Sequence, residues 1–353
     1  MFREARIGSL CLFLLVDVLL LSLMGCQSAL RPMAPQVFVV GEKGVAQTEE
    51  NIAAFNYEPG SPKGTLVLLH DIGFSAKIWD VPRASNLARY FYRKGFRVIS
   101  LNGFGSRPKL AAGGDDQSLT GWENRLNSLS LFLKKLNQND ALPRPIIALG
   151  HGFGGTMLME LGQAKPDFFD GYMMMGAPIA RGSHGKWFQA WMMELEENGD
   201  AGVLWGKGNR EKLEGLGVMR SNHFRRLQAR HDIWRLEELI GEGYFSPIHS
   251  AQLPGDVRER YRELVPFIPP DLKTNTRFLE KPILIVTSPG DYFAPPWLCD
   301  PNSLGIRFKH LEVLRLTRAN GFAFEYGHLE MILHKKARRE VYPRLLSWLD
   351  DQS

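Results

Sequence analysis

The chain has 353 residues, 44% of them hydrophobic, 35 glycines and a formal net charge of +5. That is enough apolar material for one large core, and it excludes a disordered chain. The mild basic excess, without basic residues interleaved with aromatics, gives no indication of nucleic-acid binding.

In chain order, residues 1–26 have the pattern of an export signal. Arg3 and Arg6 form a charged start, and Ile7 to Met24 is a leucine-rich apolar run broken by Asp17. The run ends in Leu23-Met24-Gly25-Cys26, which resembles the lipobox of bacterial lipoproteins, where cleavage before the cysteine is coupled to its diacylation. This resemblance implies a lipidated Cys26. Gln27 stands where an aspartate would retain such a protein at the inner membrane, so it also implies the outer membrane of the bacterial envelope, facing the periplasm or the exterior. An uncleaved anchor is the open alternative, since roughly 18 apolar residues just span a bilayer. Either way the chain is tied to a membrane. Residues 27–36 read as a short tether, and Cys299 is the one cysteine left in the mature domain, expected as a small core residue.

Strands are expected at 37–40, 52–57, 65–70, 96–101, 146–149, 171–175, 282–287 and 312–317. Helices are expected at 85–94, at 119–138, after the turn at 150–155, and from Leu329 to Leu349. Alternating strand and helix over this length indicates a mostly parallel, doubly wound eight-stranded sheet. Residues 181–275 break the alternation. They hold Trp187, Trp191, Trp205 and Trp234 without a buried-strand run, and are expected as a helical cap inserted between core segments 37–180 and 276–353.

The central motif is Gly150-His151-Gly152-Phe153-Gly154 between a strand and a helix. It resembles the nucleophile elbow of the α/β-hydrolases, G-x-S-x-G, with Gly152 at the serine position. Other segments carry the same resemblance. His70-Asp71-Ile72-Gly73 follows the third strand like the family's oxyanion loop, with Asp71 in place of the usual glycine. Asn102 to Ser106 follows the fourth strand, Ser288-Pro289-Gly290-Asp291 the seventh, and Gly327-His328-Leu329-Glu330 precedes the last helix. The likeness is to lipase and esterase members over roughly 37–350. It implies Asp291 as the triad acid, His328 as the base, Gly152 as a degenerate nucleophile position, and the Ile72 and Phe153 N–H groups as a surviving oxyanion hole. His70 is expected to support its loop.

A glycine has no oxygen with which to form an acyl-enzyme, so three readings stay open. The first is a pseudohydrolase that binds an apolar or ester-like ligand, or a partner whose identity is unknown. In the second, Asp291 and His328 act as a general base on substrate, or on water held in the space left by the serine, in hydrolase or lyase chemistry. The third displaces the nucleophile to Ser288 or Thr156. On the first reading, the defect is confined to Gly152, and restoring a serine there is the test of whether the dyad and the oxyanion hole are intact. The exposed-looking run Lys335-Lys336-Ala337-Arg338-Arg339 is expected as a solvated helix face that could also lean on anionic head groups. No cofactor is implied. No metal motif or phosphate loop stands out either, because the histidines lack H-E-x-x-H spacing and Gly150–Gly155 lacks a following Lys-Ser/Thr.

Overall fold

The computed structural model describes residues 36–40, 52–71, 74–81, 86–101, 122–139, 142–179, 276–291, 294–301 and 307–352. The expected signal segment, most of the expected tether, the expected cap at 181–275 and the segment 102–106 lie outside the described residues. Among the described residues, no helix is long and apolar enough to cross a membrane.

All eight expected strands are present: β1 Gln36–Val40, β2 Ile52–Tyr57, β3 Thr65–Leu69, β4 Arg97–Leu101, β5 Ile146–His151, β6 Gly171–Met175, β7 Pro282–Thr287 and β8 His310–Arg315. They form one sheet in the order β1-β2-β4-β3-β5-β6-β7-β8. β2 runs antiparallel to β4, while the pairs from β4 through β8 are parallel. β3, β4, β5 and β6 are buried along their whole length. This is why their sequences are continuous apolar runs rather than alternating ones. β8 closes the sheet as an edge, with His310, Glu312, Val313 and Arg315 exposed.

Among the described residues, the α-helices are α1 Leu87–Arg93, α2 Trp122–Asn139, α3 Phe153–Ala164, α4 Thr276–Leu279, α5 Pro296–Cys299, α6 Glu330–Leu333, α7 Ala337–Glu340 and α8 Tyr342–Asp350. The single terminal helix expected over 329–349 is three pieces. The backbone turns to extended geometry at His334, which ends α6, and Pro343 opens α8 at a position where a missing N–H costs nothing. Lys335, Lys336, Arg338 and Arg339 are all exposed, as a solvated face requires. Cys299 is a free, buried thiol.

The register of the sheet positions the candidate site. Leu69 of β3 lies opposite Gly150 of β5, so residues two steps further along each chain, Asp71 and Gly152, leave the sheet side by side. His151 lies opposite Met175 of β6, and Met175 opposite Val286 of β7. The loops after β3, β5, β6 and β7 therefore rise from one carboxyl edge of the sheet, where ligand sites of open α/β sheets form.

Candidate functional site

The turn between β5 and α3 has the geometry of a nucleophile elbow. Gly152 has φ 54° and ψ −130°, a left-handed backbone that strains any residue bearing a side chain. A Cβ at Gly150 would run into the backbone of Gly155, and one at Gly154 into the carbonyls of Leu69 and His70. Glycine at both flanking positions is thus a packing requirement of the turn. The elbow is intact, and only its side chain is gone.

The missing side chain's place is filled. A Cβ built on Gly152 would collide with the carboxylate of Asp71, closer than any real Cβ contact. Asp71 Oδ1 accepts a hydrogen bond of 2.8 Å from the Phe153 N–H, and Asp71 Oδ2 lies 3.0 Å from His328 Nε2. The Phe153 N–H belongs to the first turn of α3, where unpaired donors and the helix dipole favour an anion. The expectation of a surviving oxyanion hole and of a vacant serine site is therefore corrected. The one oxyanion donor within the described residues is committed to Asp71, and no space for a water replaces the serine, because a carboxylate stands there. The Ile72 N–H lies outside the described residues.

His328 is held from its other side by Asp291, with His328 Nδ1 2.8 Å from Asp291 Oδ2. The sequence expectation that these two residues meet is met by the geometry. Asp291 is set by a turn after β7, in which its own N–H donates to the Ser288 carbonyl and its Oδ1 accepts from the Ala294 N–H at 2.8 Å. The loop carrying His328 is tied by Glu330, whose carboxylate accepts the Gly327 N–H at 2.8 Å. Gly176, with φ 52°, leaves room for the pair, since a Cβ there would meet Asp291 Oδ2 at 2.7 Å and His328 Nδ1 at 3.0 Å. His151 sits against His328 with ring centroids 4.1 Å apart and its Nε2 3.0 Å from the His328 carbonyl. Phe74 and Trp79, both buried, pack against the His151 ring.

Asp71, Asp291 and His328 are all about fully enclosed, with side chains 1%, 0% and 1% exposed. Burial alone would push the His328 pKa down. The charges and hydrogen bonds of Asp291 and Asp71 push harder the other way, raising it from the ordinary 6.5 to about 10. At neutral pH His328 is an imidazolium between two carboxylates, and its Nε2–H donates to Asp71. Burial, with the charge of His328 beside it, lowers the His151 pKa well below its usual value, so His151 is neutral.

The hydroxyls of the displaced-nucleophile reading are both structural. Ser288 Oγ donates to the Leu316 carbonyl at 3.1 Å and accepts the Gly290 N–H, while Thr156 Oγ1 donates to the Pro178 carbonyl at 2.9 Å. His70 Nδ1 donates to the Asp71 carbonyl at 2.7 Å, which is the loop-supporting role expected of it. The residues that sequence reasoning missed are His151 and Gly176, together with the part played by Asp71. The Asp71 substitution was visible as a departure from the family pattern, but its partnership with Gly152 needed the register of β3 against β5.

The charge state has a measurable consequence. A group whose pKa is raised on folding stabilises the fold fully below its unfolded value and loses that contribution as pH rises through its folded value. His328 therefore adds stability at pH 6.5 that disappears as pH approaches about 10. His151, lowered on folding, contributes above its unfolded value and loses that as pH falls. Urea denaturation across this range is expected to show stability declining on the alkaline side, and Asp71→Asn to move the end of that decline to lower pH. An unshifted alkaline limb in the variant would contradict the placement of Asp71 against His328.

Solved structures with this architecture include a soluble variant of monoglyceride lipase from Saccharomyces cerevisiae. It is 16% identical, with a TM-score of 0.61 over 92% of this chain and 96% of that one. A membrane phospholipase A described as a bacterial virulence factor is 17% identical, with a TM-score of 0.57 over 99% of both chains. An esterase from Thermogutta terrifontis is 15% identical, with a TM-score of 0.58 over 90% and 99%. At such identities the likeness is one of fold. No curated protein matches the sequence significantly. A model of the alpha/beta hydrolase family matches residues 66–315, the span from β3 through β8 that carries the elbow and Asp291, and with the eight-stranded sheet this makes the chain a member of the alpha/beta hydrolase family.

Proposed function

We propose that the protein is a pseudohydrolase, attached to the bacterial envelope through a lipidated Cys26, which binds an apolar or ester-like ligand or a partner without acyl-transfer turnover. One observation carries this reading. The Asp71 carboxylate stands where a serine side chain would, and it engages both the Phe153 N–H and His328 Nε2. Acyl transfer needs a nucleophile, an unprotonated imidazole to take its proton, and free N–H groups for the oxyanion. Gly152 supplies no nucleophile, His328 is already protonated, and the Phe153 N–H is in use.

The same facts weigh against the reading in which Asp291 and His328 serve as a general base. A base must present a lone pair to the proton it removes, and His328 has Asp71 on one nitrogen and Asp291 on the other. The ligand class follows from the lipase and esterase neighbours, the tryptophan-rich segment 181–275 and the proposed membrane tether. The full chain, assayed on p-nitrophenyl esters of short and medium acyl chains, is expected to give no turnover above buffer and no covalent label with a fluorophosphonate. Turnover that His328→Ala abolishes would overturn the reading.

A further inference from the structure

We propose that Asp71, His151 and His328 form a binding site for a divalent transition-metal ion, zinc in the first instance. Their donor atoms lie within 4.8 Å of one another, and all three residues are buried. They come from three separate segments at the carboxyl edge of the sheet, the loop after β3, the last residue of β5 and the loop before α6, so no local spacing in the sequence announces them. Two imidazoles and a carboxylate are a donor set that suits zinc, leaving a fourth position for water. The proposal goes beyond the pseudohydrolase reading and does not depend on it.

The surroundings supply what such a site needs in its outer layer. Histidine ligands usually donate their second ring N–H to a carboxylate or a backbone carbonyl, which fixes the tautomer and aims the lone pair. His328 does this through Nδ1 to Asp291, leaving Nε2 as the ligand atom, 3.0 Å from Asp71 Oδ2. His151 Nε2 faces the His328 carbonyl at 3.0 Å. A carbonyl only accepts, so Nε2 carries the proton and the neutral ring keeps its lone pair on Nδ1. Asp71 is oriented by the Phe153 N–H on Oδ1, which leaves Oδ2 toward the site. Each of the three candidate ligands is thus held by a partner on one of its two donor atoms.

The exchange balances. The proton shared by His328 Nε2 and Asp71 Oδ2 leaves to solvent, and the ion takes its place between the same two atoms. Phe74 and Trp79 pack on the His151 ring, and the three candidate ligands are themselves buried.

The test uses the full chain produced in zinc-supplemented medium and, separately, the chain stripped with chelator and equilibrated with Zn²⁺ or Co²⁺. Elemental analysis is expected to find about one ion per chain, and the Co²⁺ form to show the intense visible bands of a four-coordinate ion. His151→Gln and Asp71→Ala are expected to abolish both signals. Asp291→Asn, which changes only the orienting partner of His328, is expected to weaken binding by about 10–100-fold. Circular dichroism establishes that each variant is folded; should Asp71→Ala not fold, His151→Gln carries the test. Substoichiometric metal in both preparations, or metal content that the variants leave unchanged, would overturn the proposal. Ester turnover is a separate readout: a zinc-loaded chain that hydrolyses esters would sink the pseudohydrolase reading and leave the metal site standing.

Discussion

Gly152→Ser alone is expected to yield no esterase, whereas Gly152→Ser combined with Asp71→Gly is expected to yield one. The single variant sets a Cβ and a hydroxyl into the volume of the Asp71 carboxylate. Overpacking of this kind costs about 1–3 kcal/mol, and the hydroxyl meets a protonated His328 that cannot accept its proton. Removing Asp71 as well changes three things together. The space at residue 152 opens, the Phe153 N–H is released to face an oxyanion, and His328 loses one of the two carboxylates that raise its pKa. What remains is the Asp291–His328 pair, 2.8 Å apart, with a serine on an elbow that already has the required left-handed backbone. A working triad contributes far more than the oxyanion hole and binding alone, so a gain of at least about 10²-fold over the single variant in kcat/KM on short acyl esters is expected. Equal rates in the single and double variants would show that Asp71 is not what silences the site.

Asp71→Ala is expected to be among the most destabilising single substitutions in the protein, although Asp71 lies on a loop. It leaves the Phe153 N–H and the His328 Nε2–H buried without their acceptor. Removing one partner of a buried ion pair typically costs about 3–5 kcal/mol. Asp71→Asn keeps an oxygen for Phe153 and an uncharged group beside His328, so its loss should be smaller, about 1–3 kcal/mol. Urea denaturation at neutral pH separates the two variants. If alanine and asparagine proved equally mild, the carboxylate would be a bystander, and the reading of the site as a closed ionic cluster would fail.

The sequence disclosed the fold well because its signals were local. Thr65 to Leu69 and Ile146 to His151 are apolar runs buried end to end, and such runs announce central parallel strands. The edge strand β8 was placed two residues late, since its exposed His310 and its intermediate Leu311 look like loop until the pairing with Pro282 and Ile283 is known. The break at His334 was hidden because the apolar spacing of Met331, Ile332, Leu345 and Leu349 continues across it. In the site, Asp291 and His328 were legible from their loops. Asp71 was legible as a residue and not as an occupant. Its contact with Phe153 spans 82 residues and that with His328 spans 257, and the first arises from the alignment of Leu69 with Gly150. His151 was overlooked for the same reason, since its partner carbonyl at His328 is 177 residues away.

The contact between Asp71 and residue 152 also bears on reversibility. From a serine at 152 with a glycine at 71, either substitution taken first meets an obstacle. Aspartate first would crowd the serine, and glycine first would leave a void beside His328 Nε2. The way back is obstructed in the same manner, because a serine collides with the standing carboxylate and a glycine at 71 strands two buried donors. The pair behaves as a latch with two settings. Random single substitution holds the protein in the present setting, and a return to ester chemistry requires both residues to change together.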